Sequence, residues 1–228
     1  MLLLIFALQL WVFFVTLPTR RDVGVATAVA APQALVEKPA RFGEHSASPE
    51  AQQVANQVLA THDAQGRSFM LIDKKAATLY VFDGSGAAIG ISPVLIGQTR
   101  GDDSAPGIGL RPVAQVRPSE RTTPAGRFVT APGRNAEGEP VVWIDYDAAV
   151  SMHRVRAHVA AERRLQRLAS ATAADNRISF GCINVPASFY DSVVWPVFSQ
   201  ARGVAYVLPD SKPLHEVFSG LLDPPQAA

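Results

Sequence analysis

Ser179-Phe180-Gly181-Cys182-Ile183-Asn184-Val185 contains the only cysteine among 228 residues and sets it in a context that suits a nucleophile. Gly181 has no Cβ, so the backbone can turn tightly beside the thiol and nearby amides can converge on one point, as an oxyanion hole requires. A thiolate attacks carbonyls far better than a thiol does, so such a site also needs a base or a positive field, most commonly from histidine. By default a lone cysteine is a small buried hydrophobe. Being single, it excludes an intramolecular disulfide framework and any multi-cysteine zinc site.

Around this stretch the chain reads as short strands. Ser68–Asp73, Thr78–Phe82 and Ala88–Ile96 are rich in Leu, Ile, Val, Phe and Tyr, and are separated by Lys74-Lys75-Ala76 and Asp83-Gly84-Ser85-Gly86, which are turn compositions. Further strands are expected at Arg127–Ala131, Val141–Tyr146, Val150–Val155, Ile178–Cys182 and Val204–Leu208. Many short strands with few helices predict a mainly β domain, an antiparallel sandwich or barrel with peripheral helices. One helix is expected from Ser48, a good N-cap followed by Pro49, with Ala51, Val54, Ala55, Val58 and Leu59 on one face. A second, from Phe189 to Phe198 and bent at Pro196, would pack behind the cysteine turn.

Composition places limits on function. A hydrophobic content of 48% fits one globular domain with an added apolar segment. A net charge of +1 argues against a nucleic-acid partner, which normally demands a clear basic excess. Residues 1–21 hold an apolar run, Met1 to Leu17, followed by Pro18 and Arg20-Arg21, and read as a signal peptide or N-terminal membrane anchor. Ala26-Thr27-Ala28 and Ala28-Val29-Ala30 resemble cleavage sites but lie well beyond the run. Residues 22–47 read as a flexible linker, 48–212 as the folded domain with its core at 68–208, and 213–228 as a tail. The Gly- and Pro-rich segment between Gly97 and Gly126 is read as a substrate-side flap. Within it, Asp102-Asp103 is expected to be solvated, since two adjacent carboxylates lack a spaced ligand set.

Five histidines could supply the base. His45 falls in the linker, His62 at a helix end and His215 near the tail. His153 ends an alternating, strand-like run, which holds a side chain more rigidly than the start of an insertion holds the rival, His158. Between them and the cysteine, Arg154, Arg156, Arg163, Arg164, Arg167 and Arg177 outnumber Glu162 and Asp175. Arginine forks suit carboxylates, so Arg154 and Arg177 are expected to reach an acidic substrate, and Arg163, Arg164 and Arg167 to form a solvated helix face.

The residues Ser179-Phe180-Gly181-Cys182-Ile183-Asn184 resemble the Ser/Thr-His-Gly-Cys-apolar-Asn/Arg signature of the L,D-transpeptidases, the YkuD-type cysteine enzymes of peptidoglycan remodelling. Thr123-Pro124-Ala125-Gly126-Arg127-Phe128 is similar to the family's Thr-Pro-x-Gly-x-Phe strand entry. Leu71-Ile72-Asp73-Lys74, Leu79-Tyr80-Val81-Phe82 and Pro93-Val94-Leu95-Ile96-Gly97 resemble its opening strands. The matches keep the family's order over residues 68 to 208. Phe180 departs from the pattern, standing where the family usually has histidine, and Arg154 follows His153 where glycine is usual. The separation of His153 from Cys182 is also longer than usual, which an inserted helix around Ala160–Leu168 accounts for.

The resemblance implies a mainly β L,D-transpeptidase fold and a thioester mechanism without metal or organic cofactor. Cys182 is then the nucleophile, His153 the general base and acid, and Gly181 a backbone donor to the oxyanion. Ser179 and Asn184 brace the turn, while Phe180, Arg154 and Arg177 meet the substrate. The implied substrates are tetrapeptide stems of peptidoglycan in the periplasm or cell envelope, with a second stem or a wall-anchored lipoprotein as acceptor and the inner membrane met only through the N-terminal segment. Water as acceptor gives a carboxypeptidase or amidase; loss of activity through Phe180 gives a wall-binding module.

Overall fold

A computed structural model describes residues 38–223. The apolar run and the first part of the expected linker lie outside these residues, as does the end of the tail. Among the described residues no helix is long and apolar enough to cross a membrane.

Strands β1 (Phe69–Asp73), β2 (Thr78–Phe82), β3 (Ala88–Pro93), β4 (Ile96–Gly97), β5 (Gly126–Val129), β6 (Ala131–Arg134), β7 (Pro140–Asp145), β8 (Val150–Arg154), β9 (Arg177–Ser179), β10 (Ile183–Val185) and β11 (Val204–Val207) dominate the chain. The helices are α1 (Pro49–Ala60), α2 (Arg164–Leu168), α3 (Ala187–Phe189), α4 (Trp195–Phe198), α5 (Leu214–Val217) and α6 (Ser219–Leu222). One sheet runs β3-β2-β1-β11-β5, a second β10-β8-β7-β6, and β4 pairs with β9. The domain is therefore mainly β, as expected. Most strand pairs are antiparallel, as expected, but β1–β11, β8–β10 and β4–β9 are parallel. Parallel neighbours need long crossovers, here the chain from β1 to β11 and the inserted segment between β8 and β10.

β1 is buried along its whole length because both of its faces are covered. Met70 and Ile72 join Val142, Met152, Ile183 and Val185 of the second sheet in one core. Phe69 and Leu71, on the opposite face, join Val54 and Val58 of α1, Phe218 at the N-cap of α6 and Leu221 within α6 in another. The Ser48 hydroxyl accepts from the Ala51 amide at 3.1 Å and donates to Asp73 at 2.7 Å, capping α1 and tying it to the end of β1.

Several boundaries differ from the sequence reading. The expected linker is docked over residues 38–47: Arg41 bridges to Ala87, and Phe42 packs edge-on against Tyr80 and Phe82. The start of the expected tail is likewise folded, with Phe218 and Leu221 buried. The helix behind the cysteine turn is irregular at a π turn, Tyr190–Val194, just before Pro196. Pro196 has no N–H to donate to the preceding turn, and the wider turn absorbs that loss. The expected strand Ile178–Cys182 ends at Ser179, and a new one, β10, begins only after the cysteine.

The segment from Gly97 to Gly126 contains three short 3₁₀ turns and is anchored by a buried ionic cluster. Lys74 Nζ, inaccessible to solvent, donates to Gly101 O at 2.6 Å, Asp102 Oδ1 at 2.9 Å and Thr123 O at 2.8 Å. Asp102 also accepts from the amides of Asp210, Ser211 and Lys212. Burial pushes the Asp102 carboxyl up, but Lys74 and these three amides outweigh it and hold the group well below the usual carboxylate range. Asp102 is thus corrected from solvated to buried, and Lys74 from a turn residue to the centre of a clamp.

Candidate active site

Strand periodicity builds the site. β8 and β10 are parallel neighbours with Asn184 beside His153. Side chains alternate along a strand, so Met152, Ile183 and Val185 enter the core. The opposite face then carries Ser151, His153, Cys182 and Asn184. Ser151 Oγ lies 3.8 Å from Cys182 Sγ, and the thiol donates to Ala149 O at 3.6 Å. Gly181 has φ +127°, and a Cβ there would lie 2.7 Å from Thr122 O, so the turn before the thiol requires glycine.

Cys182 is half-buried and shares a cavity of about 320 Å³ with His153, Phe180, Ser179 and Asn184. Val113 of the 97–126 segment and Arg156, His158, Val159, Glu162 and Arg164 of the insertion complete its wall. His153 Nδ1 lies 2.8 Å from Arg154 O. A carbonyl can only accept, so Nδ1 carries the hydrogen and Nε2 is left as the basic nitrogen. Burial pushes the Cys182 thiol up, but hydrogen bonding and charge from His153, together with Ser151, outweigh it, and the thiol lies below its ordinary value.

Ser179 and Asn184 are buried within the turn. Ser179 Oγ donates to Cys182 O at 2.6 Å and accepts from Gly181 N at 3.1 Å. This second bond corrects the expected role of Gly181, whose N–H is already engaged and cannot serve an oxyanion. Phe180 lies in the cavity wall with the Arg121 guanidinium 3.8 Å from its ring centroid.

Arg154 and Arg177, expected to meet the substrate, do not line the cavity. Arg154 follows His153 on β8, so alternation turns it to the other face; there it pairs with Asp191 and lies 4.8 Å over the Tyr190 ring. Arg177 is nearly buried, bonding Asp210 Oδ1 at 2.5 Å and Lys74 O at 3.1 Å as part of the clamp. The arginines that do reach the cavity are Arg156 and Arg164. Arg164, expected on a solvated helix face, donates to Asn184 Oδ1 at 2.6 Å and to Glu162 at 2.5 Å. The run of arginines makes this part of the chain cationic, but which of them turn inward depends on the path of the insertion. Among the described residues no group of three or more His, Cys, Asp or Glu side chains could hold a metal ion.

No family model matches the chain, and no curated protein matches it. Solved structures are similar to it at low identity. The catalytic domain of an L,D-transpeptidase from E. faecium is 18% identical, covering 63% of this chain and 98% of that one, with a TM-score of 0.36. An L,D-transpeptidase from Mycobacterium tuberculosis H37Rv is 14% identical over 62% of this chain and 57% of that one, with a TM-score of 0.38. One from Stackebrandtia nassauensis is 14% identical over 73% and 70%, with a TM-score of 0.37. The matched region spans about half the length of a further match, an avibactam carbamoyl enzyme, at 49% of that chain. At these scores function is read from the site's own atoms.

Proposed function

We propose that the domain is a cysteine acyltransferase of the L,D-transpeptidase type, acting on peptidoglycan stem peptides in the cell envelope. The observation that carries this reading is the meeting of Cys182 and His153 in one cavity, with the thiol drawn below its ordinary value and Nδ1 tied to a backbone carbonyl. The family signature around Cys182 supports the substrate class. So does a wall that combines Arg156 and Arg164, suited to stem carboxylates, with Val113, Val159 and Phe180, suited to aliphatic stem atoms.

In this mechanism His153 Nε2 takes the thiol proton and Cys182 Sγ attacks the carbonyl between the diamino acid and D-alanine of a tetrapeptide stem. The C–N bond breaks, D-alanine leaves with the proton from the imidazolium, and a thioester remains on Cys182. A side-chain amine of a second stem, or of a protein lysine, then attacks the thioester and restores the thiol. With the Gly181 amide engaged, the N–H of Cys182 itself takes the oxyanion role. Incubating the protein with tetrapeptide muropeptides and following mass tests the reading. Transfer gives a dimer with loss of one D-alanine, hydrolysis by water gives a tripeptide, and an unchanged substrate refutes both.

A further inference from the structure

His153 faces Asn184 as well as the thiol. Asn184 Nδ2 lies 3.3 Å from His153 Nε2 and 3.5 Å from Cys182 O. Which end of the amide points at the imidazole decides what the ring can do. An N–H pointed at Nε2 is satisfied only by a bare nitrogen and opposes an Nε2–H, whereas a carbonyl there would accept from an imidazolium. Arg164 makes the stronger part of that choice, and Cys182 O, accepting from Nδ2 at 3.5 Å, the weaker. Arg164 Nη1 donates to Asn184 Oδ1 at 2.6 Å, a charge-assisted bond, and a flipped amide would set N–H against N–H. Glu162 Oε2 holds the guanidinium from the other side at 2.5 Å. Arg164 lies at the start of α2, inside the inserted segment, so the device belongs to the part of the chain that lengthens the path from His153 to Cys182.

We infer that Arg164 is a positioning residue that tunes the proton inventory of the site: through Asn184 it disfavours a hydrogen on His153 Nε2, and so favours the ring as a base over the imidazolium. The imidazolium is the form whose charge draws the thiol down. The inference rests on the cysteine and imidazole reading given above. Other charged or titratable groups also surround the ring. Arg156 flanks it on its own segment, Arg154 points to the other face of β8, and His158, Glu162 and Arg164 reach the cavity from the insertion. Cys182 faces it from the β10 turn, and Glu139, beside β7, feels the charge of His153. Among these, Arg164 alone bonds the oxygen of the amide, while Cys182 O accepts from the Nδ2 that touches Nε2.

The test is the titration of the His153 ring proton, followed by nuclear magnetic resonance in the full chain and assigned by its loss in His153→Gln. In Arg164→Met only the long bond to Cys182 O still holds the amide, its carbonyl can turn to the ring, and the midpoint rises by about one pH unit, about tenfold in the ratio of imidazolium to imidazole. Asn184→Leu keeps the arginine charge but removes the amide, and its midpoint rises too, by less. Arg164→Lys retains an N–H donor and returns the midpoint towards that of the parent. Equal midpoints in the parent, Arg164→Met and Asn184→Leu overturn the inference, as does a shift in Arg164→Met without one in Asn184→Leu, which would leave only a charge effect. Failure of the underlying reading is separately visible: the pH profile of Cys182 alkylation would then be the same in His153→Gln as in the parent.

Discussion

Replacing Lys74 by Met removes the one cation at the centre of the buried clamp. In the parent its ammonium is inaccessible to solvent and serves Asp102 at 2.9 Å, Asp210 at 3.6 Å and two backbone carbonyls. The methionine fills much the same volume, so the cost is electrostatic. Asp210 keeps Arg177, and Asp102 keeps three amides, but one buried negative charge is left without its counterion. Breaking such a pair costs about 3–5 kcal/mol, a large part of the stability of a domain this size. The loss also reaches the site, since Thr123, whose carbonyl Lys74 binds, donates through Oγ1 to Gly181 O at 2.7 Å. The sign with pH follows from the depressed Asp102 carboxyl. Its contribution is present above the unfolded value of about 3.9 and is lost as pH falls through the folded value, so parent and variant converge in acid. Urea unfolding at pH 7 and below pH 4 measures both effects, and adding Asp102→Asn to the variant should recover part of the loss. A destabilisation below about 1 kcal/mol at pH 7, or a gap that widens in acid, would refute this account of the clamp.

Gly181→Ala introduces a Cβ 2.7 Å from Thr122 O at φ +127°, and strain of about 1–3 kcal/mol should appear as a lower denaturation midpoint together with loss of turnover. Alkylation of Cys182 should rise with pH through a midpoint below that of an ordinary thiol. In His153→Ala, where only Ser151 still opposes burial, that midpoint should rise above the parent's, as read by iodoacetamide kinetics. Arg177→Ala should lower stability without a selective rise in KM, because the guanidinium binds Asp210 and Lys74 O rather than the cavity. Arg154→Ala, which breaks a partly exposed pair with Asp191, should cost no more than about 1 kcal/mol in thermal unfolding.

Much of the β framework was legible because burial leaves a periodic mark. The run Phe69–Asp73 reads as a strand because every position is buried, and α1 because Ala51, Val54, Ala55 and Val58 recur at helical spacing behind a serine cap. The parallel pairings left no such mark, since strand composition says which segments are extended but not which neighbour each one meets. Cys182 and His153 stood out by residue type and setting. Charge alone nominates Arg154 for carboxylate recognition, but the two-residue period of β8 forbids neighbours His153 and Arg154 from facing the same cavity. Asp102 and Lys74 were misread for a related reason: a polar residue in a Gly-rich loop or turn reads as exposed, and only the return of Asp210 from the far end of the chain buries them. Arg164 was hidden among six arginines of equal charge.

The most direct measurement is the intact mass of the protein mixed with a tetrapeptide stem and quenched early. Acyl transfer through Cys182 predicts an adduct with the mass of the tripeptide acyl group on that residue, labile to hydroxylamine and absent in Cys182→Ala. Turnover of the stem by Cys182→Ala at the parent's rate, or D-alanine release with no adduct at Cys182 under any quench, would contradict it.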